Sequence, residues 1–150
     1  MMGRCFKKKP KDGLFVKMRY MADICKKQNT KRMKCKLVDG KVGKKRATFK
    51  VKVSYRSGYN AFCKGLRAYY KAGVRYALNN LEVPSDSWID AKHRECMTKY
   101  SKKVGFENTS YTLDIKVAKT KRGWKIAKLT RDMKDSVNCD YDSAWSDTDV

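Results

Sequence analysis

From Arg46 to Tyr55 the chain alternates without a miss, Ala47, Phe49, Val51, Val53 and Tyr55 on one side against Thr48, Lys50, Lys52 and Ser54 on the other. A period of two over that length predicts a half-buried β-strand with a basic outer face. Its register is constrained as well, because a one-residue slip would bury Lys50 and Lys52 without partners. A second alternating run, Tyr111, Leu113, Ile115 and Val117 against Thr112, Asp114, Lys116 and Ala118, leads through Lys119-Thr-Lys-Arg-Gly123 into Trp124 to Leu129. This predicts a hairpin in which Gly123 supplies a positive φ and Trp124 opens the returning strand with a large apolar contact. Phe49, Val51, Val53, Leu113, Ile115, Trp124 and Ile126 are the expected sheet side of the core.

Around these strands the period changes. Leu14, Met18, Met21, Ala22 and Cys25 predict a short helix over Leu14 to Lys26. Met33, Cys35 and Leu37 alternate with lysines, and Asp39-Gly40 and Gly43 mark a turn region before the strand at Ala47. From Asn60, Phe62, Leu66, Tyr69/Tyr70, Gly73/Val74, Ala77 and Leu81 recur at three and four, the spacing of an amphipathic helix. Gly65 and Gly73 inside it each cost about 1 kcal/mol relative to Ala unless they mark close packing. Pro84 disfavours helix at Val83. A second helix starts at Ser85 or Ser87, the latter three residues before Asp90 in an approximate capping box, and Gly105 ends it. The resulting fold class is α+β, an antiparallel sheet packed against two to three helices in a single domain. Residues 1–13 read as a disordered basic lead, 14–130 as the domain, and 131–150 as an acidic tail in which Trp145 is an isolated apolar group.

The chain has 150 residues, enough for one domain with a real core. No apolar run approaches the roughly 20 residues a membrane helix needs, so the chain is not expected to span a membrane. Charge is the outlier: 37 Lys and Arg against 15 Asp and Glu, a net of +22. Residues 1–57 carry 20 basic and 3 acidic groups, whereas residues 131–150 carry 2 and 6. Such a field attracts nucleic acid, an anionic membrane surface or an acidic protein without specifying which.

Cys5, Cys25, Cys35, Cys63, Cys96 and Cys139 form no C-x-x-C pair, which removes the usual metal and redox motifs. Met1 to Pro10 has charge but no apolar run behind it to make a signal peptide. The expectation is a cytoplasmic protein with free thiols if the chain is complete, and a secreted or cell-surface one if a leader has been removed. Cys35, Cys63 and Cys96 fall on the apolar side of their elements.

His93 is the only histidine, so triad chemistry would have to pass through it. Cys96 lies one helical turn on, and the pair makes a thiol-imidazole candidate weighed against a surface histidine and a buried apolar thiol. Asp86 and Asp90 suit the start of a helix. Asp114 shares a strand face with Lys116 and Thr112 and is expected to pair with a lysine across the sheet rather than to act as a catalyst. Gly40-Lys-Val-Gly43 lacks phosphate-loop spacing and is a turn. Arg67-Ala-Tyr-Tyr-Lys71 and Val74-Arg-Tyr76 mix cations with aromatics, as single-strand binders do, but their tyrosines sit at core spacing. Asn108-Thr-Ser110 fits the glycosylation pattern and matters only in a secreted eukaryotic protein.

The segment Met33 to Val53, a strand, a short glycine turn and an Ala-Thr-aliphatic-x-aliphatic strand, resembles the nuclear-transport-factor-2-like superfamily, in its small bacterial lipoprotein-type domains. Tyr111 to Leu129, with Gly123-Trp-Lys-Ile126, is similar to that family's last hairpin. The resemblance covers about two-thirds of the chain and implies a cone of curved sheet with helices in its concave face. It carries no catalytic residue across, and the two helices between Asn60 and Val104 depart from it.

The leading functional expectation is therefore a non-enzymatic domain binding a small ligand or a protein in a concave pocket between sheet and helices. A basic nucleic-acid-binding module is the alternative, carried by Lys44, Lys45, Arg46, Lys50 and Lys52, and a small enzyme with a polar pocket residue is third. The cations spread over strands, turns and helices, which favours a solvated face over a recognition element. No cofactor or metal is expected, and oligomeric state is not fixed by these residues.

Overall fold

A computed structural model describes residues 18–148. The order is α1 (Arg19–Asn29), β1 (Lys34–Val42), β2 (Arg46–Ser57), α2 (Tyr59–Asn80), α3 (Asp86–Lys103), β3 (Glu107–Thr120), β4 (Gly123–Ile126), α4 (Arg131–Val137) and α5 (Tyr141–Asp147). The strands form one antiparallel sheet in the order β1-β2-β3-β4. The α2–α3 helical hairpin connects its two central strands. The protein is thus an α+β fold, as the alternating and helical periods predict. The basic lead, Leu14 and Cys5 lie outside the described residues.

β2 and β3 pair from Arg46↔Ala118 to Ser57↔Glu107, which puts Ala47, Phe49, Val51, Val53 and Tyr55 on the inner face with Tyr111, Leu113 and Ile115. Only part of that face is covered. Val53, Tyr55 and Leu113 are buried with Met133 of α4, and Val51, Ile115 and Ile126 pack around them half-exposed. Trp124 is 42% exposed and lies outside the buried cluster, so it does not anchor the core as expected. The helices reach one end of the sheet and leave the other open. Gly123 does adopt the positive φ (93°) of the tight turn.

β1 corrects the turn expected at Asp39-Gly40. The strand runs through both residues with a register irregularity between Leu37 and Asp39, and the reversal falls at Gly43, whose N–H donates to the Arg46 carbonyl at 2.9 Å. Gly40 is needed inside the strand, because a Cβ there would lie 2.6 Å from the Phe49 ring. As an edge strand, β1 is exposed along its whole length, so Cys35, which stands opposite Val53 on the apolar face as its spacing predicts, is exposed all the same.

The second core is helical: Met21 and Cys25 of α1, Phe62, Cys63 and Leu66 of α2, Cys96 and Met97 of α3, with Phe106, Cys139, Tyr141 and Ala144. Ser85, not Ser87, caps α3 and accepts from the Trp88 N–H, and Gly105 follows with φ +80°. Gly65 is a close-packing glycine, since a Cβ would meet the Met97 methyl at 2.6 Å, whereas nothing lies near Gly73. α2 also outruns the core: its buried residues end at Leu66, and Val74 and Leu81, expected on the apolar stripe, are exposed.

The expected acidic tail is instead two helices built into the core. Thr130 caps α4 by accepting from the Met133 N–H, and Met133, Cys139, Tyr141 and Ala144 are buried. The segment is too short and too polar for a clear period, and its apolar groups are supplied one per turn. Trp145 is not isolated, lying against the rings of Tyr70, His93 and Tyr141.

Candidate nucleic-acid interface

Cross-strand partners share a face of a sheet, so the register sorts every strand residue. Opposite Val53 and its neighbours, the outward face takes Lys34, Lys36 and Lys41 from β1 and Arg46, Lys50, Lys52 and Arg56 from β2. Lys116 of β3 and Lys125 of β4 complete it. Asp39 and Asp114 are the carboxylates on this surface. Asp114 meets Lys50 directly across the ladder at 3.2 Å, the cross-strand pair its position predicts. Lys36 stands opposite Lys52, and Lys34, Lys36, Lys41, Arg46, Lys52 and Lys116 have no carboxylate partner among the described residues. Like charges directly opposite one another destabilise a sheet, and the face keeps such a pair.

Of the residues singled out from sequence, Arg46, Lys50 and Lys52 lie on this face, and Lys44 and Lys45 are exposed in the β1–β2 turn beside it. The fold therefore gathers cations that look scattered along the chain. β1 and the far end of β3 were the part missed; the even spacing of Lys34 and Lys36 was the available signal. Between the cations stand Thr48, Ser54, Ser110 and Thr112, and the strand aromatics Phe49, Tyr55, Tyr111 and Trp124 all belong to the opposite set. The surface offers charge and hydroxyls but no stacking platform.

The catalytic candidates are not brought together. His93 is buried among three helices, with one ring nitrogen, Nδ1, against the Tyr20 hydroxyl and the other, Nε2, 2.8 Å from the Tyr141 hydroxyl. It is neither a surface histidine nor a base for Cys96. Burial drives its pKa down to about 4, against a weaker opposing pull from Asp90, so the neutral ring bridges two tyrosines as donor and acceptor. Burial likewise raises Tyr20 to about 12 and raises Tyr141. Cys96 is pushed up by burial, the reverse of an activated thiol. Asp114 sits on the exposed sheet face, remote in the fold from the buried histidine.

Tyr69 and Tyr70 of α2 pack against the helical core, and the Tyr76 ring lies tilted against Trp88 with centroids 4.9 Å apart, so the tyrosines of the basic-aromatic segments are packing groups. Asn108, the sequon asparagine, accepts from the Arg56 guanidinium on β2 at 3.1 Å. Among the described residues no three His, Cys, Asp or Glu side chains converge as metal ligands, and no helix is long and apolar enough to cross a membrane. No family model, no curated protein and no solved structure matches this chain.

Proposed function

We propose that the protein binds the phosphate backbone of nucleic acid through the outward face of its sheet, with little dependence on base sequence. One observation carries the reading: the ladder aligns nine cations with two carboxylates on a single surface, including lysines held directly opposite each other. A polyanion laid across β1 and β2 relieves that repulsion, and its released counter-ions supply the affinity. Lysine-rich surfaces without aromatics contact phosphate and leave bases unread, which sets this face apart from sheets that stack unpaired bases.

The test is the affinity of the full chain for a mixed-sequence duplex over a salt series. A steep linear fall of log affinity with log salt is expected, at about 0.9 per phosphate neutralised. Replacing Lys36, Lys50 and Lys52 together by Gln should flatten the slope by about two to three, and scrambling the duplex sequence should change little. Binding that ignores these substitutions, or that is no stronger for nucleic acid than for anionic vesicles of matched charge, would sink the proposal.

A second reading, a non-enzymatic domain that binds a protein or small ligand against the inner sheet face, draws support from the uncovered end of that face. Leu37, Val42 and Trp124 are exposed there, beyond the reach of α4. Replacing Val42 and Trp124 by Ser should then remove binding of that partner without changing the melting temperature. The kinship with nuclear-transport-factor-2-like domains is kept as part of this reading, supported by the antiparallel meander and opposed by the α2–α3 insertion.

A further inference from the structure

The second half of α2 carries two parallel rows of side chains at helical spacing. Arg67, Lys71 and Arg75 form one, and Tyr70, Val74 and Leu78 the other. Together with Asn79 they line a groove of about 510 Å3 on a helix face to which, among the described residues, no other element contributes lining. Val74 and Leu78 are 58% and 71% exposed, and none of the three cations has a carboxylate partner among the described residues. The Tyr70 ring is held in place at one end by Trp145 of α5.

We infer that this groove takes an amphipathic helix of a partner protein, one with an apolar ridge flanked along one edge by Asp or Glu. Rows at i, i+4 and i+8 form a ridge and a furrow, the relief into which the ridge of another helix packs. The apolar row supplies the hydrophobic contact, and the cation row beside it fixes orientation and excludes basic helices. Charge argues against a second copy of this chain, which would set two rows of cations edge to edge. Nucleic acid has no complement for aliphatic Val74 and Leu78, and the Tyr70 ring is already engaged. A bilayer surface calls for a broad apolar face, whereas three side chains in a recess match one ridge of a helix. The groove lies on a different element from the basic sheet face and stands independently of the nucleic-acid reading.

A designed helical peptide of about 18 residues, with Leu along one face and Glu along one edge, is a suitable probe against the full isotope-labelled chain. Saturable amide shifts confined to α2 and its Trp145 neighbour are expected. The triple variant R67E/K71E/R75E should weaken the acidic peptide by about tenfold or more and prefer the counterpart carrying Lys in place of Glu. Leu78→Ser should weaken both pairings, and because all these side chains are exposed, the circular dichroism should not change. The inference fails if the acidic peptide gives no saturable shifts, or if charge reversal leaves the preference unaltered. It also fails if phosphatidylserine vesicles or a DNA duplex displace the peptide from these same residues.

Discussion

His93 Nε2 and the Tyr141 hydroxyl lie 2.8 Å apart, and with Tyr20 on the other ring nitrogen they tie α3 to α5 and α1 through one neutral imidazole. The ring is edge-on to Tyr69 as well. Protonation would introduce a charge into this aromatic setting and remove the only acceptor on the ring.

Acid should therefore weaken the fold through this one histidine. The native pKa of about 4 lies below the 6.5 of a free histidine, so between those values the unfolded chain binds more protons. Stability is full above pH 6.5 and falls as pH drops toward 4. A loss on the order of 1 to 2 kcal/mol by pH 5 is expected, allowing for partial solvent access. Urea melts from pH 7.5 to 5 check this, and a flat profile would remove the neutral-bridge assignment. Asp135, raised by burial, acts in the opposite sense, since the cost of burying its charge is relieved as pH falls.

Asn29 at the end of α1 is a buried connector. Its amide donates to the Ser136 carbonyl at 3.1 Å, and its carbonyl accepts from the Arg56 N–H at 3.0 Å. Asn29→Ala would strip β2 and α4 of these partners at once, at a cost of about 2 to 3 kcal/mol. Chemical denaturation of the variant measures it; a change under about 0.5 kcal/mol would show that water replaces the side chain without loss.

The sheet has a covered end and an open end, and substitutions should report the difference. Val53→Asp places a charge among Tyr55, Leu113 and Met133 and should abolish cooperative unfolding. Trp124→Ser, on the same face but half in solvent, should shift stability by no more than about 0.5 kcal/mol. Comparable losses from the two would mean that the open end is packed in solution.

Gly58 joins β2 to α2 where a Cβ would come within 2.5 Å of the Phe106 ring and 2.6 Å of Phe62. Those rings stand edge to face, 5.5 Å apart, and have no free side to retreat toward. Gly58→Ala should cost about 1 to 3 kcal/mol by overpacking. Gly73→Ala, in open space on the same helix, should stabilise by about 0.5 to 1 kcal/mol. Paired thermal melts decide both signs.

The thiols offer a readout of the fold. All five described cysteines are unpaired, and Cys35 alone among them is exposed. Cys25 and Cys139 are near-completely enclosed, and the Cys25 thiol is raised by its Cys139 neighbour and by burial. Native alkylation followed by peptide mapping should mark Cys35 within minutes and leave Cys25, Cys63, Cys96 and Cys139 until the chain is unfolded. Early labelling of Cys25 would contradict the packing of α1.

What the sequence made legible follows from periodicity. β2 and β3 alternate over many residues, and the faces they imply are the ones observed, with Asp114 paired to a lysine across the sheet as expected. That the lysine is Lys50 depends on the β2–β3 register, which alternation does not fix. Ser85 and Gly105 bound α3 by local capping chemistry, which needs no tertiary partner. The errors have the opposite character. The seven-residue helices are held by distant parts of the chain, α4 through Met133 against Val53, Tyr55 and Leu113 and α5 through Tyr141 and Ala144 against Phe62, Leu66 and Cys25, so polar composition alone made them look unstructured. His93 is buried because α1 and α5 close over it, which no pattern within α3 announces. The basic face was half visible in Lys50 and Lys52, but its breadth depends on β1 pairing with β2.

The position of Cys139 to Ala144 in the helical core sets an order of assembly. The β1–β2 and β3–β4 hairpins and the α2–α3 pair can form from neighbouring stretches of chain. By contrast, β2 meets β3 across the whole helical insertion, with 64 residues separating Lys50 from Asp114, and Cys25 reaches its acceptor, the Asn138 carbonyl, only across 113 residues. During synthesis the helical hairpin would emerge with the site for Tyr141 and Ala144 vacant, exposing Phe62 and Leu66 until α5 follows. Docking of α5 is thus a second non-local step after the pairing of β2 with β3, and the interval before it leaves apolar groups of the nascent chain open to aggregation.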